Sequence, residues 1–178
     1  MMLMAGAAVA LTACSTFQRG PVGNAAVPQP AKAVDLNRYV GLWYEIARYE
    51  NGFERDCEGV TAQYSMRDDG LIRVLNTCRQ DSVTGEEKSS EGKARIVEGS
   101  QNAKLKVSFF GPFYGDYWVL DRADDYSWSI VGEPSGRYLW FLSRTAQPSQ
   151  QVRDQIAARA TEMGYDLSLL RQTQHRSD

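Results

Sequence analysis

The sequence predicts an all-β fold, an eight-stranded up-and-down antiparallel barrel with one C-terminal α-helix packed on its outside. Three observations predict it. From Gly41 onward, short runs of alternating or aromatic residues recur at near-regular spacing, each set off by a turn signal. No segment of crossover-helix length separates them, so neighbouring runs pair antiparallel. A single helical pattern follows the last run. Closing such a meander removes its exposed edges.

Residues 43–49 and 60–66 make the first two strands. Asp69-Gly70, a strong hairpin step, turns into 71–78. Val83-Thr84-Gly85-Glu86 separates the next pair, and 92–97 leads through 99–102 into 105–110. Gly111-Pro112 and Gly115 precede 117–121, a run apolar on both faces. Residues 123–125 turn into 126–131, and Pro134-Ser135-Gly136 turns into 138–143. A short helical turn at 35–39 enters the first strand. Ser149 is a suitable helix N-cap. Val152, Ile156, Ala160 and Met163 then share one helical face, and Gly164 ends it. That apolar face is expected to lie on the barrel wall, and 167–173 offers a short last strand.

The chain has 178 residues, 43% hydrophobic and 24% charged, which suits one soluble domain. Its net charge of −2 and lack of a basic block give no footprint for nucleic acid. The lone histidine, His175, sits near the C-terminus. A Ser-His-Asp site or a polyhistidine metal centre therefore has no residues to build it. Neither a metal, a cofactor nor catalysis is expected.

Residues 1–13 are apolar and uncharged, with the length of a secretory signal core. Leu11-Thr12-Ala13-Cys14 resembles the bacterial lipobox, so Cys14 is expected to carry acyl chains, palmitate among them, as the mature N-terminus. Ser15 after it resembles the pattern for outer-membrane retention, with the body facing the periplasm. No Lys or Arg precedes the apolar run, so the natural start is expected upstream of Met1. Residues 14–34, rich in Gly and Pro, read as a flexible tether, and 35–178 as the domain. Cys57 and Cys78 remain, an even pair in an oxidising space, and read as a disulfide. Strict alternation puts them on opposite faces, so a bulge at Glu58-Gly59 is expected.

Gly41-Leu42-Trp43-Tyr44-Glu45-Ile46-Ala47-Arg48 resembles the G-x-W signature of lipocalins. Ser143-Arg144-Thr145 is similar to the family's arginine segment, and Gly115-Asp116-Tyr117 matches its Thr-Asp-Tyr only in part. Phe53-Glu54-Arg55, residues 60–65, 74–76, 90–94, 105–113 and 138–145 resemble the bacterial outer-membrane lipocalins, relatives of apolipoprotein D. The resemblance implies that Gly41 permits a tight entry, that Trp43 plugs the narrow end and that Arg144 lies across it. It also implies a fatty acid or lysophospholipid in the barrel, for storage, transport or membrane maintenance. A monomer is the default expectation, while the resemblance adds a homodimer in some members.

With Trp43 inward, period two places Glu45, Ala47 and Tyr49 inside, and Tyr44, Ile46 and Arg48 outside. The same rule turns inward Ala62, Tyr64, Met66, Val74, Asn76, Gly92, Ala94, Val107, Phe109, Tyr138 and Trp140. These form the expected ligand wall. The small residues leave room, and Asn76 is placed to bond a head group. Two other readings stay open: a filled barrel working through its outer surfaces, and a lipid-acting enzyme using Glu45.

Overall fold

The structure, a computed structural model, describes residues 20–176. The expected signal segment 1–13 and Cys14 lie outside the described residues. Asp35 caps a one-turn helix, α1 (Leu36–Tyr39), its carboxylate accepting from the Asn37 N–H. Eight strands follow: β1 (Gly41–Tyr49), β2 (Cys57–Met66), β3 (Ile72–Gln80), β4 (Glu87–Ile96), β5 (Lys104–Phe110), β6 (Phe113–Arg122), β7 (Trp128–Gly132) and β8 (Leu139–Ser143). Each pairs antiparallel with the next, and β1 pairs with both β8 and β2. The barrel is therefore closed. The hairpin at 67–70 and the loop at 97–103 lie at the end where β1 begins. The loops at 50–56, 81–86, 111–112 and 133–138 surround the opposite end, the mouth.

Helix α2 (Gln150–Glu162) starts at Ser149, whose hydroxyl accepts from the Val152 N–H. Its buried face, Ile156 and Ala160, packs outside the barrel with Leu120, Ile130, Leu139 and Phe141. The chain then makes a 3-10 turn (Leu167–Leu169) and a short strand β9 (Leu170–Gln172). β9 pairs with β1 over 47–49, where β1 has parted from β2.

The two apolar clusters settle which way side chains point. The interior holds Trp43, Tyr64, Val74, Ala94, Leu105, Val119, Val131 and Leu142. On β6, Tyr117 and Val119 therefore face in, and Trp118 and Leu120 face out. The alternation on β1 does not persist. A register shift between Glu45 and Ala47 inserts a bulge at Ile46. Ile46, Ala47 and Tyr49 all join the cluster under α2, and Arg48 is turned the other way, fully buried and bonded to Glu45. The expected inward positions of Ala47 and Tyr49 are thus corrected.

The tether reading also needs correction over the described part of 14–34. Gly23 N–H donates to Gly136 O (2.9 Å), Ala31 N–H to Leu120 O (2.8 Å) and Val34 N–H to Gln101 O (3.0 Å). Asn24 and Val34 are buried, and the Asn24 amide donates to Met163 O. The segment is a strap running along the wall from the mouth to α1. Val34 joins the interior apolar cluster and Val27 packs against the outer one, contacts that composition does not record.

Candidate ligand-binding site

The floor is built first. Gly41 adopts φ +99°, a backbone that glycine reaches without strain. It lets the chain turn from α1 into β1 and carries Trp43 inward, fully buried. The indole Nε1 donates to Tyr39 O at 2.8 Å. On the outer side, the Arg144 guanidinium lies over the Trp43 ring and also donates to Leu42, Arg38, Tyr39 and Val40 carbonyls. The floor roles expected of Gly41, Trp43 and Arg144 fit this geometry.

Three tyrosines form a hydrogen-bonded set inside. Tyr64 Oη donates to Tyr117 Oη (3.0 Å), and Tyr39 Oη is bonded to Tyr117 Oη (2.9 Å) and Ser129 Oγ (3.2 Å). Burial raises the pKa of each, so all three remain neutral hydroxyls. Together they give this part of the interior hydroxyl groups that carry no charge.

Nearer the mouth lies a buried polar cluster. Arg48 Nη1 donates to Glu45 Oε1 at 2.8 Å, and the Thr173 hydroxyl donates to the same oxygen. Arg48 Nη2 donates to Glu54 O at 2.8 Å and reaches Glu50 Oε1 at 3.3 Å. Burial pushes the Glu45 carboxyl up, and Glu54 adds to that; Arg48 and Thr173 offset them only in part. Burial pulls Arg48 down, but its carboxylate neighbours outweigh that and raise it, so the guanidinium stays charged. The Trp140 indole donates to Glu54 Oε2 at 2.9 Å. Cys57 and Cys78 are joined, with Cα atoms 5.5 Å apart. The expected bulge is present, between Glu58 and Thr61, with Gly59 at φ +57°. It brings Cys57 O within reach of Arg48 and Arg171.

Of the expected wall residues, Tyr64, Val74 and Ala94 are buried in the interior cluster. Ala62, Asn76, Gly92, Val107, Tyr138 and Trp140 are half-buried. Trp43, Ala62, Asn76 and Ser90 are successive cross-strand partners across β1 to β4. The Asn76 carboxamide oxygen is buried and has no hydrogen-bond partner among the described residues. Phe109 stands over Gly92, where an added Cβ would meet its ring at 2.8 Å, and is 40% exposed. Met66 lies at the closed-end edge of β2, 46% exposed and outside the interior cluster. Ala47 lines an external groove between β1 and α2 instead, with Ile46, Phe141 and Leu170.

The geometry adds residues that alternation missed. Arg48 is hidden by the Ile46 bulge, for which the sequence carries no signal. Tyr117 and Glu54 lie in segments already singled out by resemblance, yet their contacts depend on loop paths. At the mouth, Phe53 stacks on Tyr138 (centroids 5.7 Å), and Tyr138 on Trp140 (5.7 Å). The three rings form a ladder from rim to interior. No group of three or more metal-ligating side chains occurs among the described residues.

A lipocalin-like domain profile matches residues 34–175. The chain belongs to the lipocalin family. The lipocalin is 44% identical over 165 residues to "Outer membrane lipoprotein Blc" of Vibrio cholerae, covering 92% of this chain and 95% of that one. It is 45% identical over 147 residues to the protein of the same name from Escherichia coli K12, covering 79% and 82%. The expected kinship to apolipoprotein D is also found. Insecticyanin of Manduca sexta superposes with a TM-score of 0.69 at 21% identity, covering 87% of this chain and 88% of that structure, which bears on the fold alone.

Proposed function

We propose that this lipocalin is an outer-membrane lipoprotein, acylated at Cys14 and facing the periplasm, that holds a single-chain lipid in its barrel. The names of its relatives support the location and the anchor. The observation that carries the binding reading is the half-burial of interior residues. Ala62, Val107 and Trp140 pack against the interior cluster of a closed barrel, yet they keep accessible surface. This reading assigns that surface to space continuous with the mouth.

An acyl tail entering this space would leave water at about 0.8 kcal/mol per methylene, so a dozen methylenes outweigh the usual ordering costs. Asn76, half-buried on the inward face with its carboxamide oxygen unpartnered, supplies a polar group that can donate to or accept from the polar end of either lipid. Glu45 is committed to Arg48 and Thr173, which supports binding rather than catalysis.

Displacement of a fluorescent fatty acid from the purified protein tests this reading. Saturable displacement by lysophospholipid at micromolar concentration is expected. Absence of saturable binding would favour a barrel that works only through its outer surface.

A further inference from the structure

The mouth carries a feature that lipid binding inside the barrel does not require. The β5–β6 hairpin ends in Phe110 and Phe113, cross-strand partners that are 81% and 77% exposed. Across the mouth, Phe53 is 68% exposed. At the closed end the most exposed large apolar side chains are Met66 at 46% and Leu42 at 39%, among the described residues. Rings so fully presented to water mark a contact surface.

The strap says what that surface meets. The Gly20 carbonyl accepts from Arg137 in the 133–138 loop, and a Cβ on Gly20 would sit 3.6 Å from Glu50 O in the 50–56 loop. The chain therefore reaches the barrel at its mouth. Six residues further back is Cys14. Six residues extend at most ~20 Å, so an acylated Cys14 keeps the mouth close to the bilayer. The 67–70 hairpin, at the far end of β2 and β3, is left pointing away. Acidic side chains outnumber basic ones in the mouth loops, which disfavours an anionic surface.

We propose that the mouth docks on a zwitterionic phospholipid surface, with Phe110 and Phe113 inserted at the headgroup boundary and the barrel opening turned to the bilayer. The inference takes the attachment at Cys14 from the reading above; it does not need the barrel to be occupied. Docked in this way, the opening exchanges lipid with the bilayer without passing it through water, and the aromatic ladder of Phe53, Tyr138 and Trp140 lines the way in.

The acylated full chain, bound to phosphatidylethanolamine–phosphatidylcholine vesicles containing brominated acyl chains, tests it. Gly111→Cys, whose Cβ would meet nothing within 4 Å, carries a fluorophore at the hairpin tip, and Asp68→Cys carries it at the closed end. Quenching at least about threefold stronger at the tip is expected, falling to the closed-end level when Phe110→Ser and Phe113→Ser are added. Equal or stronger quenching at the closed end overturns the proposal. So does a crosslink between two copies through position 111 with no quenching there, which would assign the rings to a second copy. Protein that fails to sediment with the vesicles refutes the anchor and the docking together, whereas sedimentation without quenching refutes the docking alone.

Discussion

The Arg144 guanidinium carbon lies 3.7 Å from the centroid of the Trp43 ring, and the same group donates to four backbone carbonyls of α1 and the start of β1. One side chain thus closes the floor and fixes the angle at which the first strand leaves the helical turn. Both tasks depend on a planar fork with several donors.

Arg144→Ala is expected to destabilise the protein by about 2–4 kcal/mol, combining the lost cation–π contact with carbonyls left to solvent. Arg144→Lys is expected to recover less than half of that, because a point charge cannot reach four acceptors. Urea denaturation reads both. A loss under about 1 kcal/mol for alanine would mean that Trp43 seals the floor unaided.

Ala62 is inward, half-buried and a cross-strand partner of Trp43 and Asn76. Ala62→Phe is expected to weaken lysophospholipid displacement at least tenfold while shifting the urea midpoint little. Gln63→Phe, on the outward face of the same strand, is expected to leave the affinity unchanged. Equal effects from the two would remove the barrel interior as the binding place.

How much of this was legible depends on whether local pattern controlled the outcome. Hairpin steps such as Asp69-Gly70 dictate their own geometry, and the strand order follows from short loops. Trp43 and Arg144 were readable because the short segments around them resemble lipocalin motifs. The face of Ala47 and Tyr49 was not, because one inserted residue at Ile46 reverses every position after it. The strap was not readable either, since its bonds reach Gln101, Leu120 and Gly136, far away in sequence. Arg48 was lost for the same reason as Ala47, and with it the polar cluster of which it is the centre.

Glu45 titrates near 4.5 when exposed and is raised to about 8 in the folded protein, chiefly by burial. Between those values the folded chain keeps a proton that the unfolded chain has released. Stability from this group is therefore fully present below pH 4.5 and is lost as pH rises toward 8, by at most about 1.4 kcal/mol per pH unit. Glu45→Gln is expected to flatten that window, so the variant gains on the parent between pH 5 and pH 9. Urea midpoints across the range read the difference. A gap that stays constant would show that Arg48 keeps Glu45 ionised throughout.

The disulfide joins residues 21 positions apart. Cys57→Ser with Cys78→Ser is expected to cost about 3 kcal/mol, from loop closure in the unfolded chain. A thermal midpoint lower by about 10 °C would follow. The same bridge lies beside the carbonyl that receives Arg48, so amide exchange should rise locally at Cys57 and Gly59 before global unfolding. A lower midpoint without that local change would confine the bridge to an effect on the unfolded state.

Gly136 and Asn24 hold the strap at the mouth. Gly136 adopts φ +67°, and a Cβ there would meet Asn24 O at 1.8 Å. Gly136→Ala therefore combines an unfavourable backbone with a clash that only displacement of the strap relieves. Faster amide exchange at Gly23 and Asn24 is expected, while Ala31 and Val34, bonded to Leu120 and Gln101, change less. Asn24→Ala, which removes the bond to Met163 O, is expected to loosen the same two amides without the backbone strain. If both variants leave exchange at Gly23 unaltered, the strap is held from Ala31 onward, and the path of the anchor to the mouth is not fixed by these contacts.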